Sequence, residues 1–260
     1  MITQQRLPIS VCMIAGNEAH RIHRALDSVS SWVEEIIVVI NDDVTDGTDK
    51  IAESSGAKVF REPWKGYGPQ KNSATGRATQ PWLLNLDADE TISPMLRDEI
   101  RRTLSAPGDC AAFCFPRCTN FCGRWIRHGD WYPDRQTRLW RRGQARWSDV
   151  QVHETLAVAG PVGRLHAEML HYLTDPIDRQ IAKISAYTEA FVRDRQSLQR
   201  SVGGFDLMIR PAWRFGRDYF LRLGLLDGWQ GGYIAWMTAF YTATRYAKIR
   251  AMQEQKNKPD

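Results

Sequence analysis

The sequence predicts an α/β fold: an open, mostly parallel sheet flanked by helices, followed by a helical C-terminal extension. Three observations predict it. Short apolar runs alternate four times with helical segments over the first hundred or so residues, and strands apolar on both faces pair in parallel when helices bridge them. Three polar clusters close such runs, Asn17-Glu18, Asn41-Asp42-Asp43 and Asp87-Ala88-Asp89, and ligands of open parallel sheets sit at the carboxyl ends of the strands. After residue 108 the alternation stops, and an aromatic, arginine-rich stretch precedes helical sequence from about residue 174.

The elements follow in order. "PISVCMIAG" reads as a buried strand. "NEAHRIHRALDSVSSW" has helical spacing, with Ile22, Leu26 and Val29 on one face. "EEIIVVI" is a second strand; "NDDVTDGT" is a loop in which Thr45 or Asp46 caps the next helix, and "TDKIAESSG" is a short helix stopped by Gly56. "AKVFRE" is a third strand, "PWKGYGPQKN" a Gly- and Pro-rich loop, "SATGRATQ" a helix end and "WLLNL" the fourth strand. "SPMLRDEIRRTL" is a helix with Ser93 as N-cap and Pro94 at its first position.

The 260 residues are 43% hydrophobic and 25% charged, an ordinary globular balance that excludes a disordered chain. The net charge of +5 favours contact with nucleotides, nucleic acid or acidic lipid. It concentrates in two places: residues 116–150 hold eight Arg against three Asp, and residues 210–250 seven bases against two Asp. Cys110, Cys114, Cys118 and Cys122 recur every fourth residue. A structural metal is one reading; the aromatic segment with Pro116 reads better as extended chain with small reduced core thiols, which fits a reducing, cytosolic compartment. The N-terminus lacks the pattern of a signal peptide, and no run of about 20 apolar residues marks a spanning helix.

Asp87 and Asp89 carry the main functional expectation. Two close carboxylates repel unless a proton or cation intervenes. Mg²⁺ or Mn²⁺ takes one or two carboxylates plus phosphate oxygens, an arrangement that neutralises a departing diphosphate. A solvated turn is the plainer alternative. Lys71 in "GYGPQKN" is a candidate to meet a phosphate, with a flexible loop carrying one exposed lysine as the plainer alternative; the spacing matches neither the dinucleotide nor the P-loop fingerprint. His153-Glu154 offers a general base, and Ala157 excludes the H-E-x-x-H of zinc proteases.

"ISVCMIAGNEAHRIHRALDSV", "VINDDVTDGTDKIA", "GYGPQKNSA", "WLLNLDADE", "GDWYPDRQTRLWRRG" and "VHE" stand in the order and spacing of family 2 glycosyltransferases. The chain resembles most closely the bacterial lipopolysaccharide-core β-glycosyltransferases of the WaaE/KdtX type, over nearly its whole length. The resemblance implies a GT-A fold over residues 1–173, with a nucleotide-sugar half at 1–108 and an acceptor half at 109–173, and a helical extension over 174–260. It also implies an inverting, metal-dependent transfer from a UDP-sugar, often UDP-glucose, to a lipopolysaccharide-core or related lipid-linked acceptor. By position, Asp89 looks like the metal ligand and Asp87 like a ribose or metal-shell residue. Asn41 and Asp42 fall at the uracil and ribose contacts, beside Asn17 and Glu18 on the donor edge, and Lys71 faces the nucleotide. This chain departs from the familiar pattern in having Asn41, and Asp43-Val44 in place of Gly-Ser.

Glu154 falls where such enzymes place the base. Trp131, Tyr132, Asp134, Arg135, Arg138 and His153 would line the acceptor side, aromatics stacking on sugar faces and arginines pairing with phosphates or carboxylates; a solvated basic strand pair is the plainer alternative for the arginines. "YIAWMTAFYTATRYAKIR" suits a helix lying on an anionic membrane surface, or a helix packed on the main domain. The expected location is cytoplasmic, peripheral on the inner face of the cytoplasmic membrane, with no nucleic-acid partner. A metal-dependent nucleotidyltransferase and a non-catalytic nucleotide- or RNA-binding module are the rival readings.

Overall fold

A computed structural model of the chain describes residues 5–149, 154–173, 177, 178, 181, 182, 184, 188 and 202–256. The backbone separates into two compact units: Met1–Arg117 with Asp134–Tyr172, and Cys118–Pro133 with Leu173–Asp260.

The first unit is built on a twisted mixed sheet. Strands β1 (Leu7–Ala15), β2 (Val33–Asn41), β3 (Lys58–Glu62) and β4 (Trp82–Asn85) come from the four apolar runs. They lie in the order β3-β2-β1-β4, parallel throughout. The order then continues through β8 (Asp134–Arg141), β6 (Ala112–Phe121), β12 (Met169–Tyr172) and β5 (Glu90–Ile92). Here antiparallel pairing takes over, β8 against both β4 and β6 and β12 against β5, while β11 (Val162–Arg164) runs parallel to β6. Between β6 and β8 the chain passes through β7 (Arg124–Ile126) and a short turn with no α-helical crossover, a connection that antiparallel neighbours allow. A separate hairpin joins β9 (Ala145–Trp147) to β10 (Leu156–Val158).

Period-two alternation explains why the first strands are apolar throughout. Ile9, Val11 and Met13 of β1 enter one core with Val38 and Ile40 of β2; Cys12, Ile37 and Val39 enter the other, with Trp140 and Trp147. Helix α1 (Ile22–Asp27) closes the first core with Ile22 and Leu26, and Val29 beyond its end is also fully buried. Helix α2 (Thr48–Ser54) ends before Gly56, which takes φ +83°. Asp46 accepts the Thr48 N–H at 3.0 Å at its start. Helix α4 (Pro94–Ser105) begins as the sequence predicts, Ser93 Oγ accepting the Leu96 N–H at 3.1 Å.

One element differs from the sequence reading. "GYGPQKN" is not a loop: Tyr67–Gly76 form helix α3. Pro69 sits in the first turn, where its missing N–H has no intrahelical partner to lose. The cysteine segment is extended, as read: it forms most of β6, and all five cysteines are free thiols.

The second unit contains β7 (Arg124–Ile126), paired with Thr119–Phe121, and helices α5 (Gly204–Gly216) and α6 (Gly228–Lys256). Phe121 stacks on Tyr233 with centroids 5.8 Å apart and meets Trp131 edge-on at 5.4 Å. Gly231 lets α6 approach the turn at Gly224, whose carbonyl oxygen would lie 1.9 Å from an added Cβ. No helix among the described residues is long and apolar enough to cross a membrane.

Candidate active site

The register of the parallel strands sets three chain ends side by side. Ala15 of β1 pairs with Ile40 of β2, and Cys12 pairs with Asn85 at the end of β4. Asn17-Glu18, Asn41-Asp42 and Asp87-Ala88-Asp89 therefore leave the same edge. Hydrogen bonds tie the first two: Asn17 Oδ1 accepts the Thr45 N–H at 3.2 Å, and the Glu18 N–H donates to Thr48 Oγ1 at 2.8 Å. Asn41 is partly buried, its carbonyl accepting from the Val44 N–H, and Asp42 is exposed.

Asp87 and Asp89 lie on a turn between β4 and β5, closed by the Glu90 N–H donating to the Asp87 carbonyl at 3.0 Å. Each carboxylate has its own cations. Arg138 Nη2 donates to Asp87 Oδ2 at 2.8 Å and to Glu90 Oε1 at 2.9 Å, and Lys71 Nζ stands 3.5 Å from Asp87 Oδ1. With the Asn85 amide oriented to satisfy its neighbours, its oxygen accepts from Arg138 Nη1 at 2.8 Å. Burial pushes the Asp87 carboxyl up, but Arg138 and Lys71 outweigh it and hold it well below the usual carboxylate range. Asp89 Oδ2 lies 3.4 Å from Arg21 Nη1 and 3.6 Å from His171 Nε2. Burial and the neighbouring Asp87 push Asp89 up; His171 and Arg21 bring it down on balance. Glu18 in turn grips Arg21, accepting from Nη2 at 2.8 Å.

Lys71 brings the other expected residues together. It is 5% exposed on α3, donates to Glu154 Oε1 at 2.9 Å, and lies over the Trp147 ring at 4.6 Å. Asn72 fixes α3 against β9 through both amide atoms: Nδ2 donates to the Trp147 carbonyl at 2.9 Å, and Oδ1 accepts the Trp147 N–H at 3.0 Å. Gly68 makes the approach possible, since a Cβ there would lie 1.9 Å from the Ser148 carbonyl oxygen. The glycine of "GYGPQ" thus serves packing between α3 and the chain leading to Glu154.

The residues expected on the acceptor side divide. Asp134 accepts from Arg117 Nε at 2.8 Å and from Gln136 at 2.6 Å, and exposed Arg135 donates to the Leu165 carbonyl at 3.2 Å. Arg138, read from sequence as a surface group for an anionic acceptor, is 4% exposed and occupied by Asp87 and Glu90. Strand alternation turns it inward under the aspartate turn. Trp131 and Tyr132 are partly buried in the second unit, and His153 lies outside the described residues.

Asp89 is the carboxylate placed to take a divalent cation, which would compete with Arg21 Nη1 at 3.4 Å from the same oxygen. Its Oδ2 and His171 Nε2 offer one oxygen and one nitrogen side by side, ligands suited to Mn²⁺ or a similar ion. Six carboxylates (Glu18, Asp87, Asp89, Glu90, Asp134, Glu154) face four fixed cations (Arg21, Lys71, Arg117, Arg138), so the group carries two excess negative charges. No group of three or more His, Cys, Asp or Glu side chains among the described residues is placed to hold a metal alone; phosphate oxygens and water would complete the shell.

Residues 10–157 match the family model for glycosyl transferase family 2, a span that includes every donor-edge residue and Glu154. The chain belongs to glycosyltransferase family 2. The transferase is 30% identical over 266 residues to the lipopolysaccharide core biosynthesis glycosyltransferase LpsC of Rhizobium meliloti, covering 98% of this chain and 97% of that one. It is 30% identical over 253 residues to an uncharacterized glycosyltransferase of Rickettsia felis, covering 93% and 89%. Among solved structures it resembles S. aureus TarS 1–349, crystallised with UDP-GlcNAc, at a TM-score of 0.50 and 14% identity over 96% of this chain and 92% of that one. The fold is GT-A-like, and the protein is a glycosyltransferase; this replaces the nucleotidyltransferase and binding-module alternatives.

Sequence reasoning missed Arg21, Glu90, Arg117 and His171 in this transferase. Glu90 directly follows Asp89, and adjacency to the aspartates is the one local signal it carries. His171 has no local signal: it reaches Asp89 because β12 pairs His171 with Glu90.

Proposed function

We propose that this transferase moves a hexose, glucose by family resemblance, from a UDP-sugar to a lipopolysaccharide-core or related cell-envelope glycan, with inversion at the anomeric carbon. The observation that carries this reading is the convergence of Asp87 and Glu154 on one buried lysine, with Asp89 two residues from Asp87. The likeness to LpsC supports the lipopolysaccharide class of acceptor.

Glu154 is the general base. The acceptor hydroxyl gives its proton to this carboxylate as its oxygen attacks the anomeric carbon, and the carbon–oxygen bond to UDP breaks with its electron pair leaving on the diphosphate. Lys71 holds Glu154 in place and anchors Asp87, so donor and acceptor sides share one scaffold. Asn17, Glu18, Asn41 and Asp42 form the edge for the nucleoside, with Asp87 toward the ribose. Asp89 and His171 would hold Mg²⁺ or Mn²⁺, which when bound supplies positive charge against the leaving diphosphate. Asp134 and Arg135 would meet the acceptor in the first unit; Trp131, Tyr132 and His153 keep only the acceptor role that the family resemblance implies. Because the acceptor is lipid-linked, the enzyme works at the cytoplasmic face of the inner membrane.

The test is a thermal-shift panel of UDP, GDP, ADP and NAD, each with Mn²⁺ or EDTA. Stabilisation by UDP only with Mn²⁺ is expected, followed by release of UDP from a UDP-sugar in the presence of acceptor glycan and an inverted linkage by NMR. No response to UDP, or one indifferent to EDTA, overturns the metal-dependent donor site.

A further inference from the structure

Helix α5 turns its polar side toward the protein and its apolar side toward solvent. Asp206, Arg210 and Arg214 recur four residues apart, and Asp206 is 4% exposed while accepting from Arg210 Nε. Arg214 reaches Asp130 and stands 3.6 Å from the buried carboxylate of Asp218. The opposite stripe consists of Phe205, Met208, Ile209 and Trp213 at spacings of three, one and four, all exposed: Met208 is 72% and Trp213 62% accessible. Phe220 and Leu221 extend the apolar surface beyond the helix end, at 57% and 66%. A helix packed on a soluble domain shows the reverse polarity, and an apolar surface of this extent marks a docking face.

The charges beside it point to the occupant. Arg214, Arg217 and Arg222 share Asp130, and Arg214 and Arg217 also meet Asp218, so three guanidiniums stand against two carboxylates. Residues 204–256 hold eight Arg and Lys against four Asp and Glu. A second copy of the chain would bring the same positive charge to the face and be repelled, whereas phosphates of a lipid surface would neutralise it. Large apolar and aromatic side chains on one helix face beside arginines are the composition of helices that lie in the bilayer interface.

We infer that α5 and the turn carrying Phe220 and Leu221 dock on an anionic phospholipid surface, the apolar stripe entering the headgroup boundary and Arg222, 48% exposed beside that turn, meeting lipid phosphates. This rests on the membrane location in the proposed function and deepens it by assigning a docking face to α5, beside the exposed Trp236 and Phe240 of α6.

Co-sedimentation of the full chain with phosphatidylcholine vesicles, with and without phosphatidylglycerol, tests it, with light scattering in parallel. Wild type is expected to sediment with the phosphatidylglycerol vesicles, more weakly as salt rises. The triple variant F205S/M208S/W213S should partition about tenfold less or worse, with unchanged circular dichroism and an unchanged thermal response to UDP. R222Q should weaken binding to the anionic vesicles. Failure of wild type to bind them, equal binding by the triple variant, or a wild-type dimer that the triple variant converts to monomer would overturn the inference. The UDP response separates that failure from failure of the donor site.

Discussion

The ammonium of Lys71 lies 2.9 Å from Glu154 Oε1, across 83 residues of sequence. This bond assigns Lys71 a place between the expected base and Asp87, rather than one as a surface cation for phosphate. Glu154→Gln retains a hydrogen-bond acceptor for Lys71 but removes the proton acceptor. Turnover should fall by about 10²-fold or more, while the UDP-induced thermal shift stays at the wild-type value. Steady-state kinetics beside the thermal shift check this; turnover within a few-fold of wild type would move the base elsewhere.

Lys71→Met removes the cation from between Asp87 and Glu154 in a site that is 5% exposed at Lys71. Breaking a buried pair by deleting one partner costs about 3–5 kcal/mol. Urea denaturation of the two proteins should show that loss as a lower midpoint with an unchanged slope.

Arg138→Lys tests geometry rather than charge. The guanidinium spans Asp87, Glu90 and the Asn85 amide with separate N–H groups. An ammonium cannot reproduce that fork. The variant should be less stable by about 2–4 kcal/mol, and its response to UDP with Mn²⁺ should weaken because Asp87 loses its fixed position.

Asp89→Asn reduces the negative charge of the proposed cation site while preserving size. Calorimetric titration with Mn²⁺ and UDP together should lose the metal-dependent binding, with little change in melting temperature in EDTA. His171→Ala should act in the same direction, since its Nε2 faces the same Asp89 oxygen. Retained metal-dependent binding in both variants would exclude this pair as the cation site.

Glu35 makes the fold sensitive to acid. It is 6% exposed and accepts from Lys58 Nζ at 2.8 Å, the Thr79 N–H at 2.9 Å, Thr79 Oγ1 at 3.0 Å, and Ser10. Burial pushes its carboxyl up, but the hydrogen bonds from Lys58, Ser10 and Thr79 together pull it down to about 2. A carboxyl depressed in the folded state stabilises the fold above its unfolded value near 4.5 and loses that contribution as pH falls toward 2. Melting temperature should decline through that window, and Glu35→Gln should flatten this part of the profile and cost about 1–3 kcal/mol at pH 7.

The order β3-β2-β1-β4 came only from the fold, but the sequence by itself determined four parallel strands, their flanking helices and the strand ends that carry Asn17, Asn41, Asp87 and Asp89. These depend on local periodicity: apolar strands, helical spacing and polar ends are each written within about ten residues. Local rules also misplace what a neighbour decides. "GYGPQKN" looks like a loop because Gly and Pro dominate it, yet it becomes the first turn of α3, packed on the Ser148 carbonyl. Only the tertiary structure decided the partners of the charges. Arg138 meets Asp87 across 51 residues because β8 lies against β4, and His171 meets Asp89 because β12 pairs with β5. Polarity likewise marks α5 as amphipathic, but only the fold turns its apolar side outward. Ion pairing and exposure are set by which surfaces meet, and long-range strand order is not encoded in any single segment.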